Sequence, residues 1–355
     1  MTTRTAPDRG PGRTGGSVVV LGGTGFLGRH VCAAFAAAGA DVVPFSRTAR
    51  PALDNCGPAR PDPLAPDTGA LARLCADADI VVNAAGAVWG GTEQEMIEAN
   101  THLVDRLTRA LATLPARPRL VQLGSAYEYG PTEPGAVTGE DHPPAPTTPY
   151  GRTKLAGTRA VLRAAAEQDI DAVVLRVSVA CGPGAPPNSL PGIVAAHLAE
   201  GRGELRLAPL LAHRDLVDVR DVADAVVAAA RAPAGQVTGT VVNIGSGRAV
   251  PVCTLVDLMI SLSGRPLRIV EERTARGTRS DAPWQRLDVA RARRVLGWAP
   301  RRSLEESLAD FMAAAGVPPA RSRPTGQPKP PGHQAGARRT DGRADGEPGQ
   351  GKDGQ

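Results

Sequence analysis

A tyrosine and a lysine four residues apart are the residues of this sequence best suited to proton transfer. They are Tyr150 and Lys154, in the segment Tyr150-Gly151-Arg152-Thr153-Lys154. On a helix, residues four apart lie on the same face, so the ammonium can lie near the phenol and lower its pKa. A phenol with a lowered pKa is a general acid or base. The pair therefore predicts proton transfer to or from a substrate oxygen.

A glycine-rich segment near the N-terminus predicts a phosphate-binding turn. Gly22, Gly25 and Gly28 follow an apolar strand pattern at 17–21 and open a helical pattern at 26–38. Glycine tolerates the backbone angles of such a turn and lets the main chain approach a pyrophosphate at the helix N-terminus. Alone, the segment also fits a strand-to-helix connection that binds nothing. Together with the Tyr/Lys pair it predicts hydride transfer.

With these motifs the sequence resembles the extended short-chain dehydrogenase/reductases, a family of NAD(P)-dependent nucleotide-sugar epimerases, dehydratases and reductases, over roughly residues 17–313. The resemblance implies a catalytic triad of Ser125, Tyr150 and Lys154. Ser125 follows the apolar strand pattern at 120–123, where the family keeps a Ser or Thr whose hydroxyl binds the reacting oxygen. Asn100 matches a recurrent family position whose role here is open.

The resemblance also implies where the cofactor binds: on the glycine turn, after the second strand and after the strand at 79–83. The implied cofactor residues are Gly22, Thr24, Gly25, Phe26, Leu27, Gly28, Ser46, Arg47, Asp62, Leu64, Ala84, Ala85, Gly86, Tyr150 and Lys154. NAD-preferring relatives place an acidic residue after the second strand, on the ribose 2′-hydroxyl. Here Ser46-Arg47 suits a 2′-phosphate, so we expect NADP(H) to be preferred, with NAD(H) as the alternative.

The residues next to Ser125 bear on the reaction class. Dehydratases of this family carry an acidic pair directly after the catalytic Ser/Thr, where this chain has Ala126 and Tyr127. Glu128 comes one position later and on a strand-like backbone would face the other way. Dehydration is therefore disfavoured. A reductase releases its oxidised cofactor whereas an epimerase retains it, and an NADP(H) site favours the reductase.

Two arginine segments, 213–222 and 279–283, resemble those of GDP-4-keto-6-deoxymannose reductases. In that subgroup they help enclose the nucleotide diphosphate, which implies substrate contacts from Arg214 and Arg279. An internal Arg214–Asp215 ion pair and a solvated Arg279 are the structural alternatives. Relatives usually carry a substrate-binding Asn where this chain has Val179. The nucleotide and the sugar therefore stay open.

The resemblance thus implies an NADPH-dependent 4-ketoreductase of a dTDP- or GDP-linked 4-keto-6-deoxyhexose, in the deoxysugar biosynthesis typical of antibiotic pathways. Hydride would reach C4, Tyr150 would donate the proton, Lys154 would hold the nicotinamide ribose, and Ser125 and Tyr127 would contact the sugar. The first alternative is a nucleotide-sugar 4-epimerase with bound NAD. The second is a non-catalytic NADP(H)-binding protein.

Composition narrows the partners and the compartment. The net charge of +5 resides in the termini, because 1–16 carries a net +2 and 318–355 a net +3. The folded part is thus neutral, which argues against a nucleic-acid surface. Five scattered cysteines without C-x-x-C spacing indicate reduced thiols, no histidine stands at metal-ligand spacing, and no apolar run is long enough to span a membrane. We expect a cytoplasmic protein without metal.

The order of the elements predicts an α/β fold, a Rossmann-type doubly wound parallel sheet with a smaller C-terminal lobe. Strand patterns at 17–21, 41–45, 79–83, 120–123 and 172–176 alternate with helical patterns such as 96–111 and 154–168. We place the core mainly in 17–180 and the substrate lobe mainly in 181–313, within a domain at 17–317. Pro, Gly and Arg dominate the tails 1–16 and 318–355, which we expect to be disordered. Relatives pair two helices per subunit, so a homodimer is expected through 96–111 and 154–168.

Overall fold

Five apolar strands at the predicted positions form the centre of a large sheet in the computed structural model. The structure describes residues 16–46, 50–52, 58–61, 67–88, 91–272 and 283–319. The five strands are β1, β2, β5, β6 and β7. All strands in the described residues are β1 (Ser17–Leu21), β2 (Asp41–Ser46), β3 (Arg50–Ala52), β4 (Pro58–Pro61), β5 (Ile80–Asn83), β6 (Arg119–Ser125), β7 (Ala172–Val177), β8 (Val179–Cys181), β9 (Glu204–Leu207), β10 (His213–Asp218), β11 (Thr240–Ile244), β12 (Ala249–Pro251) and β13 (Arg268–Glu271).

The helices flank this sheet or build the second lobe. They are α1 (Phe26–Ala37), α2 (Thr68–Cys75), α3 (Glu93–Ile97), α4 (Leu103–Ala112), α5 (Pro149–Glu167), α6 (Leu190–Glu200), α7 (Val219–Arg231), α8 (Ala234–Val237), α9 (Val252–Ser263), α10 (Ala290–Leu296) and α11 (Leu304–Ala314). Within the described ranges, no helix has the length and apolar character that crossing a membrane requires.

The large sheet has the strand order β11-β7-β6-β5-β1-β2-β4-β3, and its ladders are parallel except for the β3–β4 pair. The chain runs outward from β1 through β2 and then returns to the other side of β1 with β5. In a doubly wound sheet, ligands bind outside the carboxyl ends of the strands at this switch point. The predicted fold class is confirmed, and the crevice lies beyond Leu21 and Asn83.

The predicted helix at 96–111 is interrupted. The structure has α3, a π turn over Glu98–His102 and then α4. A π turn holds one more residue than an α turn and is often found at functional sites. Here the π turn carries the buried side chain of Asn100, while Leu103, Leu107 and Leu111 of α4 remain fully buried.

The second lobe has its own apolar core. Its two small sheets, β12-β10-β8 and β13-β9, pack with α6, α9 and α11 around Leu198, Leu216, Met259 and Phe311. The proposed division near residue 180 stays a prediction, but two later elements do not follow it. Strand β11 pairs with β7 in the large sheet, and α7 buries Val222 and Val226 in the core beneath that sheet.

Candidate active site

The glycine turn after β1 closes in a way that requires glycine. Gly22 has a φ of +72°, and a Cβ there would lie 2.7 Å from the Cα of Ala85. A Cβ on Gly28 would lie 2.1 Å from the carbonyl oxygen of Gly22. The amide of Gly25 donates to that same oxygen at 2.9 Å, and α1 begins at the next residue, Phe26. The turn therefore presents bare backbone at the helix N-terminus, where a pyrophosphate can be bound.

The predicted cofactor residues that the structure describes lie at one edge of the sheet. Contact between Gly22 and the 84–85 backbone places the glycine turn, including the half-buried Thr24, Phe26 and Leu27, beside the segment 84–86. The amide of Gly23 donates to the carbonyl oxygen of Phe45 at 2.9 Å, and Phe45 is followed by the buried Ser46, the last residue of β2. The predicted contacts at Arg47, Asp62, Leu64 and Arg279 lie outside the described residues.

The three predicted catalytic residues come together next to this edge. Ser125 ends β6, and Tyr150 and Lys154 lie on the first turns of α5, whose start is fixed by Thr148. The Thr148 hydroxyl oxygen accepts a hydrogen bond from the amide of Gly151 at 3.1 Å. The side chains of Tyr150 and Ser125 are hydrogen-bonded. The buried ammonium of Lys154 donates to the carbonyl oxygen of Leu123, which anchors α5 to the end of β6.

The pKa of Tyr150 moves in the direction opposite to the expectation. Burial raises it to about 12, although the hydrogen bond with Ser125 lowers it. Burial likewise lowers the pKa of Lys154, and the carboxylate of Glu128 raises it. The difference arises because the four-residue spacing says nothing about desolvation, which disfavours the charged form of both groups. Tyr150 is therefore a neutral phenol at physiological pH, the form that can donate a proton.

The expectation of a strand-like backbone at Glu128 is wrong. Residues Ala126–Glu128 form a turn of 3-10 helix, and Glu128 is fully buried. Its carboxylate accepts a hydrogen bond from the amide of Ser125 at 2.8 Å and another from Nε of Arg176 at 2.8 Å. Neither Glu128 nor Arg176 was predicted from the sequence as a site residue. The signals were present: Ser-x-x-Glu is a capping-box pattern, and an arginine inside an apolar strand needs a buried partner.

Besides Ser125, the structure describes two predicted substrate residues, Tyr127 and Arg214, and their surroundings differ. Tyr127 is half-buried, and its ring packs edge-to-face against that of Tyr150 with centroids 5.7 Å apart. Arg214 is buried, and its guanidinium donates to the carbonyl oxygen of His213 at 2.8 Å. The alternative of an ion pair with Asp215 is wrong, because that carboxylate instead accepts the amides of Ser246, Gly247 and Leu287. In the part of the chain that the structure describes, Arg214 has no carboxylate at ion-pair distance.

Asn100 links the segment that follows β5 to α5, the helix that carries Tyr150 and Lys154. Its side-chain nitrogen donates to the carbonyl oxygen of Ala87 at 2.9 Å and to the hydroxyl oxygen of Thr153 at 3.1 Å. Its side-chain oxygen accepts the amide of Ala87 at 3.2 Å. The π turn thus fixes the segment that follows β5 against α5, one residue before Lys154. Over the described ranges, no three His, Cys, Asp or Glu side chains cluster so that they could hold a metal ion.

Comparisons with known proteins agree with this geometry. The model of the NAD dependent epimerase/dehydratase family matches residues 18–245. A dTDP-6-deoxy-L-talose 4-dehydrogenase (NAD(P)(+)) from Kitasatospora kifunensis is 42% identical over 330 residues, which cover 89% of this chain and 99% of that protein. A UDP-glucose 4-epimerase from Bacillus subtilis (strain 168) is 26% identical over 331 residues, which cover 83% and 95%.

A solved structure has the same fold. MoeE5 in complex with UDP-glucuronic acid and NAD is similar with a TM-score of 0.75 at 28% sequence identity, and the match covers 84% of this chain and 98% of that chain.

Proposed function

Since the chain belongs to the NAD dependent epimerase/dehydratase family, we propose that it is an NADPH-dependent 4-ketoreductase of a dTDP-linked 4-keto-6-deoxyhexose. It is an NAD(P)-dependent enzyme of oxidoreductase type. The proposal adds the direction of the reaction, the substrate and the choice of cofactor.

The observation that carries the proposal is the half-buried hydroxyl of Tyr150 hydrogen-bonded to the side chain of Ser125. A phenol with a pKa of about 12 holds its proton at neutral pH. Reduction of a ketone needs such a proton donor, because the oxygen becomes an alkoxide as hydride reaches the carbon. The Ser125 hydroxyl lies beside the phenol, so both can bind one substrate oxygen.

The glycine turn fits a dinucleotide cofactor. A side chain at Gly28 would collide with the backbone of Gly22, so the turn keeps its helix N-terminus open for a pyrophosphate. When bound, the reduced nicotinamide supplies the hydride. Lys154, held next to Leu123, would bind the nicotinamide ribose, and Tyr150 would protonate the oxygen at C4. The sequence Ser46-Arg47 supports NADPH over NADH.

The nucleotide and sugar come from the relative that is 42% identical. That protein is a dTDP-6-deoxy-L-talose 4-dehydrogenase (NAD(P)(+)), and the reverse of a 4-dehydrogenation is the reduction of a 4-ketone. The buried Arg214, whose guanidinium donates to the carbonyl oxygen of His213, would bind the diphosphate of the sugar nucleotide. The homodimer through the helices at 96–111 and 154–168, and cytoplasmic location, stay predictions.

A nucleotide-sugar 4-epimerase is the second candidate, and the similarity to the UDP-glucose 4-epimerase from Bacillus subtilis (strain 168) favours it. An epimerase returns the hydride to its substrate, so its cofactor is not consumed. The non-catalytic alternative has no such support, because Ser125, Tyr150 and Lys154 are all present and lie together.

The test is cofactor consumption. Purified protein is mixed with NADPH or NADH and enzymatically prepared dTDP- or GDP-4-keto-6-deoxyhexose, and the near-ultraviolet absorbance of the cofactor is followed. Stoichiometric loss with NADPH and the dTDP-sugar supports the proposal. No loss with either cofactor, together with inversion at C4 of a nucleotide hexose by protein carrying bound NAD, would establish the epimerase instead.

A further inference from the structure

A buried carboxylate and two buried cations lie at the end of β6, around the serine proposed to be catalytic. The carboxylate is Glu128, which is fully buried, and the cations are Arg176 and Lys154, of which 3% and 7% remain exposed. Arg176 also lies over the ring of Tyr129, with its guanidinium carbon 4.5 Å from the ring centroid. A charge buried this deeply is retained only when a partner compensates it, and Glu128 is the anion of this group.

The first contact of Glu128 fixes the backbone of Ser125. Its Oε1 accepts the Ser125 amide at 2.8 Å, and the Ser125 hydroxyl oxygen accepts the amide of Tyr127 at 3.3 Å. These two bonds close the turn at both ends and orient the serine hydroxyl. Gly124 leaves room for the carboxylate, because a Cβ there would lie 2.7 Å from Oε1.

The second effect of Glu128 is electrostatic. Its carboxylate raises the pKa of the buried Lys154 ammonium, against the lowering by burial, and it raises the pKa of Tyr150 as well. Tyr127 is the other titratable group that acts on Tyr150. On the elements packed against α5, the titratable side chains of Glu93, Glu98 and His102 are exposed to solvent.

We propose that Glu128 is a positioning residue for the ketoreductase reaction: its buried carboxylate holds Ser125 in place for Tyr150 and is the counter-charge that Arg176 and Lys154 share. This inference rests on the proposed function. Glu128 touches no substrate in this role; it acts through the orientation of Ser125 and the charge of Lys154.

The test compares Glu128→Gln with a matched control. The glutamine keeps an oxygen that can accept the Ser125 amide but removes the charge. Glu306→Gln makes the same change in the capping box of α11, where Glu306 accepts the amide of Ser303 at 2.7 Å. The proposal expects Glu128→Gln to lower kcat by about tenfold or more with little change in KM. It also expects the alkaline limb of the kcat/KM profile to move down by about half a pH unit or more. Glu306→Gln is expected to leave both unchanged.

A lower rate with an unmoved alkaline limb would overturn the electrostatic part, and an unchanged rate would overturn the whole proposal. A buried cation without its anion can prevent folding, so the double variant Glu128→Gln, Arg176→Met removes both charges of the pair. We expect this double variant to fold, to keep the lowered kcat and to keep the alkaline limb of its kcat/KM profile at the lower pH. Recovery of the original rate and profile would instead show that Glu128 serves only to neutralise Arg176.

A measurement without substrate separates this proposal from the proposed function. The tyrosinate absorbance of the chain is titrated with pH and compared with that of its Tyr150→Phe variant, so that the difference reports Tyr150. The proposal expects Glu128→Gln to lower the pKa of Tyr150. An unshifted pKa would overturn the proposal whatever the substrate, whereas an inactive unsubstituted chain that shows the shift would overturn only the function.

Discussion

Replacing Tyr150 by phenylalanine removes the proposed proton donor with little other change. General acid catalysis contributes about 10²- to 10⁴-fold, so kcat for reduction is expected to fall by that factor, or about 3–5 kcal/mol of barrier. The fold should tolerate the change. The phenylalanine ring can keep the edge-to-face contact with Tyr127, and the Ser125 hydroxyl still accepts the Tyr127 amide at 3.3 Å. The lost hydrogen bond then costs about 1 kcal/mol of stability.

The assay follows a single turnover at saturating NADPH, with NADPH affinity measured separately by fluorescence. Tyr129→Phe is the matched control, because it removes the same atom from a tyrosine whose hydroxyl donates to Asn243 at 2.7 Å and is hydrogen-bonded to Arg176 rather than to Ser125. It should lose about 1–3 kcal/mol of stability, since a buried acceptor is left unpaired, and keep its rate. A Tyr150→Phe rate within tenfold of the unsubstituted chain would refute the assignment of Tyr150 as the acid.

Three further outcomes are expected. The kcat/KM for reduction should fall at alkaline pH as Lys154 loses its proton, because burial lowers the pKa of Lys154 while the Tyr150 phenol, with a pKa of about 12, stays protonated. Lys154→Arg should remove this alkaline fall in kcat/KM. If the fall persists in Lys154→Arg, it belongs to another group. Gly28→Ala should abolish NADPH binding measured by fluorescence, because its Cβ would lie 2.1 Å from a backbone oxygen. Gly203→Ala should bind NADPH normally, because its Cβ would meet none of the described residues within 4 Å. Arg214→Gln should raise KM for the sugar nucleotide about tenfold or more with a smaller change in kcat, since a charge-assisted phosphate contact is lost; an unchanged KM would exclude that contact.

The parts of the site that depend on local sequence could be predicted. The glycine turn follows from its own backbone, and Tyr150 and Lys154 are placed by helical spacing. The Glu128–Arg176 pair joins residues 48 positions apart, so it appears only once β6 and β7 are adjacent. The direction of the Tyr150 pKa shift also depends on burial by the whole fold, which a four-residue spacing cannot report.

The strands were predictable because buried parallel strands are nearly continuous apolar runs. The π turn was not, because the pattern over 96–111 is helical on both sides of Asn100, and the contacts of Asn100 with Ala87 and Thr153 are tertiary. The pairing of β11 with β7 in the large sheet could not be predicted either, because Thr240–Ile244 has the pattern of an apolar strand and the pattern does not indicate which strand it pairs with.

The pairing of β11 with β7 also determines the order in which this chain can fold during synthesis. Strand β7 is buried along its whole length and needs β11 on its outer side, yet 62 residues, 178–239, separate the two strands. While those residues emerge from the ribosome, the nascent sheet ends in a bare apolar edge, which is a template for aggregation. Yield in a cell should therefore depend on how fast translation passes this stretch and on chaperones that cover the edge of β7.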